Sequence, residues 1–119
     1  MLPHLVLDPP DASTIVSCEQ MGPILPIMSF RYEDEAVARA NNSEYGLTSS
    51  VWSADEDHAY AVALRLEAGN TSINGHGLMA TDTESPLGGY KESGMGYAGH
   101  KEGLTAYVQL HAVSNSYFG

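Results

Sequence analysis

Apolar residues recur along the chain with two different periods, and the changes of period mark the elements. "HLVLD" from His4 reads as a short strand, ended by the Pro9-Pro10 pair. "ILPIMSF" is apolar and β-compatible, and Pro23 and Pro26 place it at an edge or at a strand start. From Glu33 the spacing turns helical through Ala36, Val37 and Ala40, until "NNSEYG" breaks it. "LTSSVWS" alternates as a strand does. Behind it Ala59, Val62, Ala63 and Leu66 fall at i, i+3, i+4 and i+7, which predicts a second helix. Ser53 and Glu56 have the spacing of a capping box for it, and Gly69 that of a left-handed stop. "TSIN" is another strand, and a long loop runs from Gly75 to about Gly99. A shorter helix in "HKEGLTAYV" leads to a last apolar stretch, "VQLHAV". Strands alternating with helices predict an α/β fold: a mostly parallel sheet, two main helices and a long glycine-rich loop. A loop of that length inside one domain signals either function or a missing neighbour.

Composition narrows this picture. The 119 residues fit one domain, and 43% apolar with 17% charged residues is a globular balance. No apolar run reaches the roughly 20 residues of a membrane span. "MLPHLVLDPPD" has no basic n-region, so a soluble, cytoplasmic protein without membrane partners is expected. A net charge of -10 with five Lys and Arg argues against nucleic acid as a partner. Much of the clustered acid, "YEDE" and "ADED", stands where helices begin, beside the positive end of the dipole. The single cysteine excludes an intramolecular disulfide, and the five scattered histidines form no i, i+4 pair. No metal site is expected.

Several residues could carry chemistry. "GMGYAG" (Gly94, Gly96, Gly99) matches G-x-G-x-x-G by letter, but "SPLGGYKES" rather than an apolar strand precedes it. Glycines that supply positive φ in a tightly packed irregular loop are the better account. Cys18 is flanked by Ser17 and Glu19, and an adjacent carboxylate works against a reactive thiolate. Glu19 precedes the turn "MGP" beside an apolar strand, where a carboxylate either is solvated or accepts hydrogen bonds from sugar hydroxyls. His76 ends a strand in "INGHG", and strand ends of α/β sheets are where ligands bind. A hydrogen-bonded loop histidine accounts for it equally well.

Three longer motifs carry more than their spacing. "CEQMGPILPI", then "DEAVARANNSEYGLTSSVWSADEDHAYAVALRLEAGNTSING", then "SPLGGYKESGMGYAGHKEGLTAYVQ" closely resemble, in that order, the C-terminal part of NAD(P)-dependent aldehyde dehydrogenases. The resemblance runs from about Leu2 to Val113 and is specific in A-N-x-S-x-Y-G-L, L-x-A-G-x-x-x-I-N and P-x-G-G-x-K-x-S-G-x-G. It implies a partial catalytic domain over residues 1–107 and a terminal strand over 108–119 that pairs between subunits. The glycine-rich segment would then belong near the substrate tunnel and subunit contacts. Glu19 matches the glutamate of E-x-F-G-P that hydrogen-bonds the nicotinamide-side ribose of NAD or NADP. Met21 stands in the place of the Phe of that motif, and Leu87 in the place of the Phe of P-F-G-G. Asn74 and the loop from His76 to Thr81 would border the substrate entrance.

The sequence also departs from that pattern. Tyr97 and Ala98 stand where Arg-Glu commonly follows S-G-x-G. The nucleophilic cysteine of G-Q-x-C and the general-base glutamate of E-L-G-G belong upstream of the matched segment, as does most of the cofactor domain. No catalytic residue is therefore assigned, and the chain is expected to be inactive by itself. The implied reaction is oxidation of an aldehyde to an acid, by hydride transfer from a thiohemiacetal and hydrolysis of a thioester. One reading is an enzyme part, oligomeric with aldehyde dehydrogenase subunits. The other is a stand-alone association module that pairs its last strand with a full-length relative. "ILPI", "VW" and "LEAG" keep the apolar faces that an enzyme part would bury, which favours the first and predicts self-association.

Overall fold

The computed structural model describes residues 2–77, 80, 82 and 84–115. Contacts divide the chain into two units, Met1–Ser43 and Glu44–Gly119.

In the first unit, β1 (His4–Leu7) pairs in parallel with β2 (Ile24–Ile27), in the register His4↔Ile24 to Leu7↔Ile27. Between them lies α1 (Thr14–Ser17), a single turn that periodicity does not predict because four residues hold no period. Then α2 (Glu33–Asn41) begins with Glu33, Asp34 and Glu35 in its first turn, at the positive end of its dipole, and buries Val37. The two strand ends are tied by polar groups. Asp8, with φ 45°, accepts from the backbone N–H and the hydroxyl of Ser29 at 2.6 and 2.8 Å. Arg39 of α2 donates to Ser29 O and to Asp11 Oδ1, both at 2.7 Å. The Ser29 N–H, then its hydroxyl, hold the Asp8 carboxyl below its usual range, and the Arg39 charge adds a smaller effect.

The second unit is built on β4 (Thr48–Val51) and β5 (Asn70–Ile73), parallel in the register Thr48↔Asn70 to Val51↔Ile73. The connection between them, α3 (Glu56–Ala63), packs on both strands and brings the fully buried Ala59 to the contact. Ser49 and Thr71 join their hydroxyls across the pair at 2.7 Å. Two smaller antiparallel pairs complete the unit: β3 (Tyr45–Gly46) with β7 (Tyr90–Lys91), and β6 (Leu87–Gly88) with β8 (Tyr97–Ala98). The helix α4 (His100–Leu104) runs into a 3-10 turn over Thr105–Tyr107. The α/β class and the parallel pairing are as expected from the sequence.

Three local expectations are corrected. The cap of α3 is Asp55, whose carboxylate accepts from His58 N at 3.0 Å, while Ser53 Oγ accepts from Asp55 N at 3.1 Å. An Asp at that position reaches the N3 amide directly, so the Ser53–Glu56 capping box is not used. Helix α3 ends at Ala63 with Leu64 right-handed, so Gly69 is not its stop and is not left-handed. The segment from Gly75 to Gly99 is no uniform loop, because it contains β6, β7 and β8. Strands of two residues are too short for a period-2 signal. Among the described residues none pairs with residues 108–115 as a strand, and the pairing expected there is one between subunits. An extended segment becomes a strand only with a hydrogen-bonding neighbour.

Candidate functional site

Glu19 stands on a turn that α1 and its neighbours fix. At the end of α1, the N–H of Cys18 bonds Thr14 O at 3.0 Å. The carboxamide of Gln20 donates to Thr14 O at 3.2 Å, Ile15 O at 3.1 Å and Cys18 O at 2.6 Å. Glu19 is left exposed between them, and the Met21 side chain is 90% exposed. Cys18 is exposed too, with its sulfur 3.8 Å from Ser17 Oγ, a contact that supplies neither a base nor a positive charge.

Asn74 follows β5 in the left-handed conformation, with φ 52°. Its Oδ1 accepts from Ser53 N and its Nδ2 donates to Ser53 O, both at 2.9 Å, while its own N–H reaches Val51 O at 2.8 Å. The side-chain amide thus imitates one more residue of the β4–β5 ladder, so its polar atoms are engaged with backbone. Two residues on, His76 Nδ1 lies 3.4 Å from Ser50 Oγ. Leu78, Met79 and Thr81 of the expected entrance loop lie outside the described residues.

Leu87, half-buried, pairs with Ala98 on β8. Here the glycines have a definite use. A Cβ on Gly69 would lie 1.6 Å from Gly88 O, and one on Gly88 would lie 2.4 Å from the Tyr97 ring. Gly69 and Gly88 let backbone approach backbone and ring, whereas Gly94, Gly96 and Gly99 supply positive φ (148°, 78° and 71°), with open space where a Cβ would stand at Gly94 and Gly96. Tyr97 covers Gly88 with its ring. Lys91, left-handed at φ 54°, pairs its ammonium with Glu67 Oε2 at 2.8 Å and ties β7 to the approach to β5.

Alongside β5 runs an open cleft of about 520 Å³, lined in part by Tyr60, Leu64, Ile73, Asp82, Ser85 and Tyr90. Asn74, His76 and Leu87 do not line it. Asp82 accepts from Glu84 N–H and from the Ser85 hydroxyl, both at 3.0 Å. These bonds, the first foremost, hold its carboxyl below the usual range, and the His100 charge adds to them. Glu102 pairs with His100 Nδ1, and that hydrogen bond lowers its carboxyl likewise. Among the described residues no group of three or more His, Cys, Asp or Glu is placed to hold a metal ion. Nor is any helix long and apolar enough to cross a membrane.

Sequence reasoning singled out Glu19, Met21, Asn74, His76 and Leu87 but missed what fixes them. Gln20 has no distinctive spacing, and Ser53 has that of a capping box and not of a partner for Asn74; both roles depend on carbonyl and amide positions that only the folded backbone defines.

The aldehyde dehydrogenase family model matches residues 1–113. Geranial dehydrogenase of Castellaniella defragrans is 43% identical over 111 residues, which cover 93% of this chain and 23% of that protein. Betaine aldehyde dehydrogenase of Brucella melitensis is 39% identical, over 93% of this chain and 22% of its own length. Among solved structures, a Mycobacterium tuberculosis aldehyde dehydrogenase complexed with NAD+ superposes with a TM-score of 0.82 at 35% identity, covering 88% of this chain and 21% of that one. A Staphylococcus aureus betaine aldehyde dehydrogenase with NAD+ gives 0.78 at 36%, over 87% and 20%. The chain therefore spans less than a quarter of the length of the relatives it matches. Matched along nearly its whole length by family pattern, by sequence and by fold, this chain belongs to the aldehyde dehydrogenase family.

Proposed function

We propose that this chain is the C-terminal part of an aldehyde dehydrogenase and supplies part of the wall of its site. Glu19 and Met21 face the nicotinamide-side ribose of NAD or NADP, and Leu87, Asn74 and His76 border the aldehyde's route. The observation that carries this reading is the Glu19 turn. An exposed carboxylate stands beside the carbonyls that Gln20 bonds, with Met21 open next to it, in a family with solved members complexed with NAD+. The residues fit that part of the cofactor: a carboxylate accepts from two neighbouring sugar hydroxyls, and an apolar side chain covers the sugar's edge. When bound, the nicotinamide accepts a hydride, while the chain's own contribution is to bind and orient.

The 119 residues do not turn over aldehyde by themselves. The sulfur of Cys18 meets the Ser17 hydroxyl, which does not activate a thiol, and Asn74 has its carboxamide committed to Ser53. Apolar side chains that a larger enzyme would cover stand open. Leu5, Leu7 and Leu25 are more than half exposed, and Met95 and Leu110 fully so. Such surface accounts for association with aldehyde dehydrogenase subunits or with further copies of the chain.

The test is nicotinamide absorbance with NAD+ or NADP+ and a panel of aldehydes. Pure 119-residue protein should give no turnover above buffer, whereas Glu19→Ala in a full-length enzyme carrying this segment should raise the KM for the cofactor. Turnover by the pure chain would overturn the proposal.

A further inference from the structure

Gln20 lies in the middle of the E-x-x-G-P turn, and its side chain performs a task that no motif assigns to it. Helix α1 has four residues, too few to stabilise itself, and its last carbonyls lack intrahelical partners. The N–H of Cys18 serves Thr14 O, and among the described residues Ile15 O and Cys18 O meet no backbone donor. The half-buried Gln20 carboxamide reaches both and shares a bond with Thr14 O, so two N–H groups serve three carbonyls. The shortest of these bonds, 2.6 Å, goes to Cys18 O, the carbonyl of the peptide group that carries the nitrogen of Glu19. The peptide plane before Glu19 is thereby fixed by the residue after it.

We propose that Gln20 is the positioning residue for Glu19: its amide caps α1 and sets the direction in which the Glu19 carboxylate leaves the turn. The effect on cofactor rests on the function proposed above, whereas the ordering of the turn does not.

Two variants and the wild-type chain test it by 15N relaxation and amide exchange. In wild type, the Gln20 side-chain N–H₂ should exchange more slowly than that of a free glutamine, and Glu19 should have an order parameter near about 0.85. Gln20→Leu keeps the volume but removes the donor, and Glu19 should fall below about 0.6. Gln20→Glu turns an acceptor toward three carbonyls. It should loosen the turn at neutral pH and recover below about pH 4.3, where the acid regains an O–H donor. A role in filling space would show no such recovery. Free exchange of the wild-type carboxamide, or an unchanged Glu19 in Gln20→Leu and Gln20→Glu at neutral pH, would overturn the proposal.

In a full-length enzyme carrying the segment, Gln20→Glu should raise the KM for NAD+ about tenfold with kcat changed less than about twofold, as loss of a bond to a charged group does. If Glu19→Ala leaves that KM unchanged, the ribose reading fails and the ordering of the turn still stands or falls on relaxation. If Glu19→Ala raises it and Gln20→Glu does not, the positioning role fails.

Discussion

Replacing Gly69 by Ala tests whether close approach of backbone to Gly88 is what requires glycine there. The new methyl would lie 1.6 Å from Gly88 O and 2.7 Å from Gly88 C, whereas an ordinary carbon–oxygen contact is roughly 3.3–3.6 Å. The two backbones must therefore separate by about 2 Å, enough to break hydrogen bonds whose normal span is about 2.9 Å. At risk are the β6–β8 pair and the bond from Gly69 N to Gly46 O, now 3.0 Å. Overpacking costs about 1–3 kcal/mol, and one lost backbone bond about 1 kcal/mol more. The stiffer unfolded chain returns about 0.4–1 kcal/mol. A net loss of about 2–3 kcal/mol lowers the melting temperature of a unit this size by roughly 10–20 °C. The assay is thermal unfolding by far-ultraviolet circular dichroism at low protein concentration. The control is Gly96→Ala. Gly96 is left-handed at φ 78° with nothing near a new Cβ, so the change should cost only about 1–2 kcal/mol of backbone strain. A Gly69→Ala protein that melts with wild type, or above Gly96→Ala, refutes the packing account.

Other consequences are as direct. Asn74→Ala should cost about 2–3 kcal/mol, from two lost bonds to Ser53 and a left-handed φ without an Asn, while Asn74→Gly should cost less; urea unfolding midpoints decide. Asp8 has a folded pKa below the ordinary 3.8, so the stability it contributes is present above that value and is lost as pH falls through the lower folded value. Asp8→Asn, which tolerates the same φ, should flatten the dependence of melting temperature on pH in that acid range. Arg39→Lys should lose about 1 kcal/mol, because a point charge cannot hold Ser29 O and Asp11 together as the fork does; a chemical denaturation curve measures it. The exposed apolar surface predicts a sedimentation coefficient that rises with protein concentration and falls when Leu110 is replaced by Asp.

How far the sequence is legible depends on the length over which a signal runs. The strands His4–Leu7, Ile24–Ile27, Thr48–Val51 and Asn70–Ile73 and the helices from Glu33 and Glu56 all lie where apolar spacing puts them. Their periods run over several residues. The pairs β3–β7 and β6–β8 escape, because two residues carry no period and are held by backbone approach at Gly46, Gly69 and Gly88. At the candidate site, Glu19 is legible as a residue type before a turn. Its fixation by Gln20 is not, since it depends on where three carbonyls point. Asn74 reads as a strand-end polar residue, yet its amide works inward as an imitation of backbone.

The most direct test of the central claim is the mass of the native polypeptide in its source cells, by blot against this segment. A polypeptide of the relatives' length would run roughly fourfold heavier than 12.7 kDa, since 111 matched residues amount to 23% of one relative, and that is the expected species. A native species at 12.7 kDa, with none heavier, would contradict it and make the chain an association module in its own right.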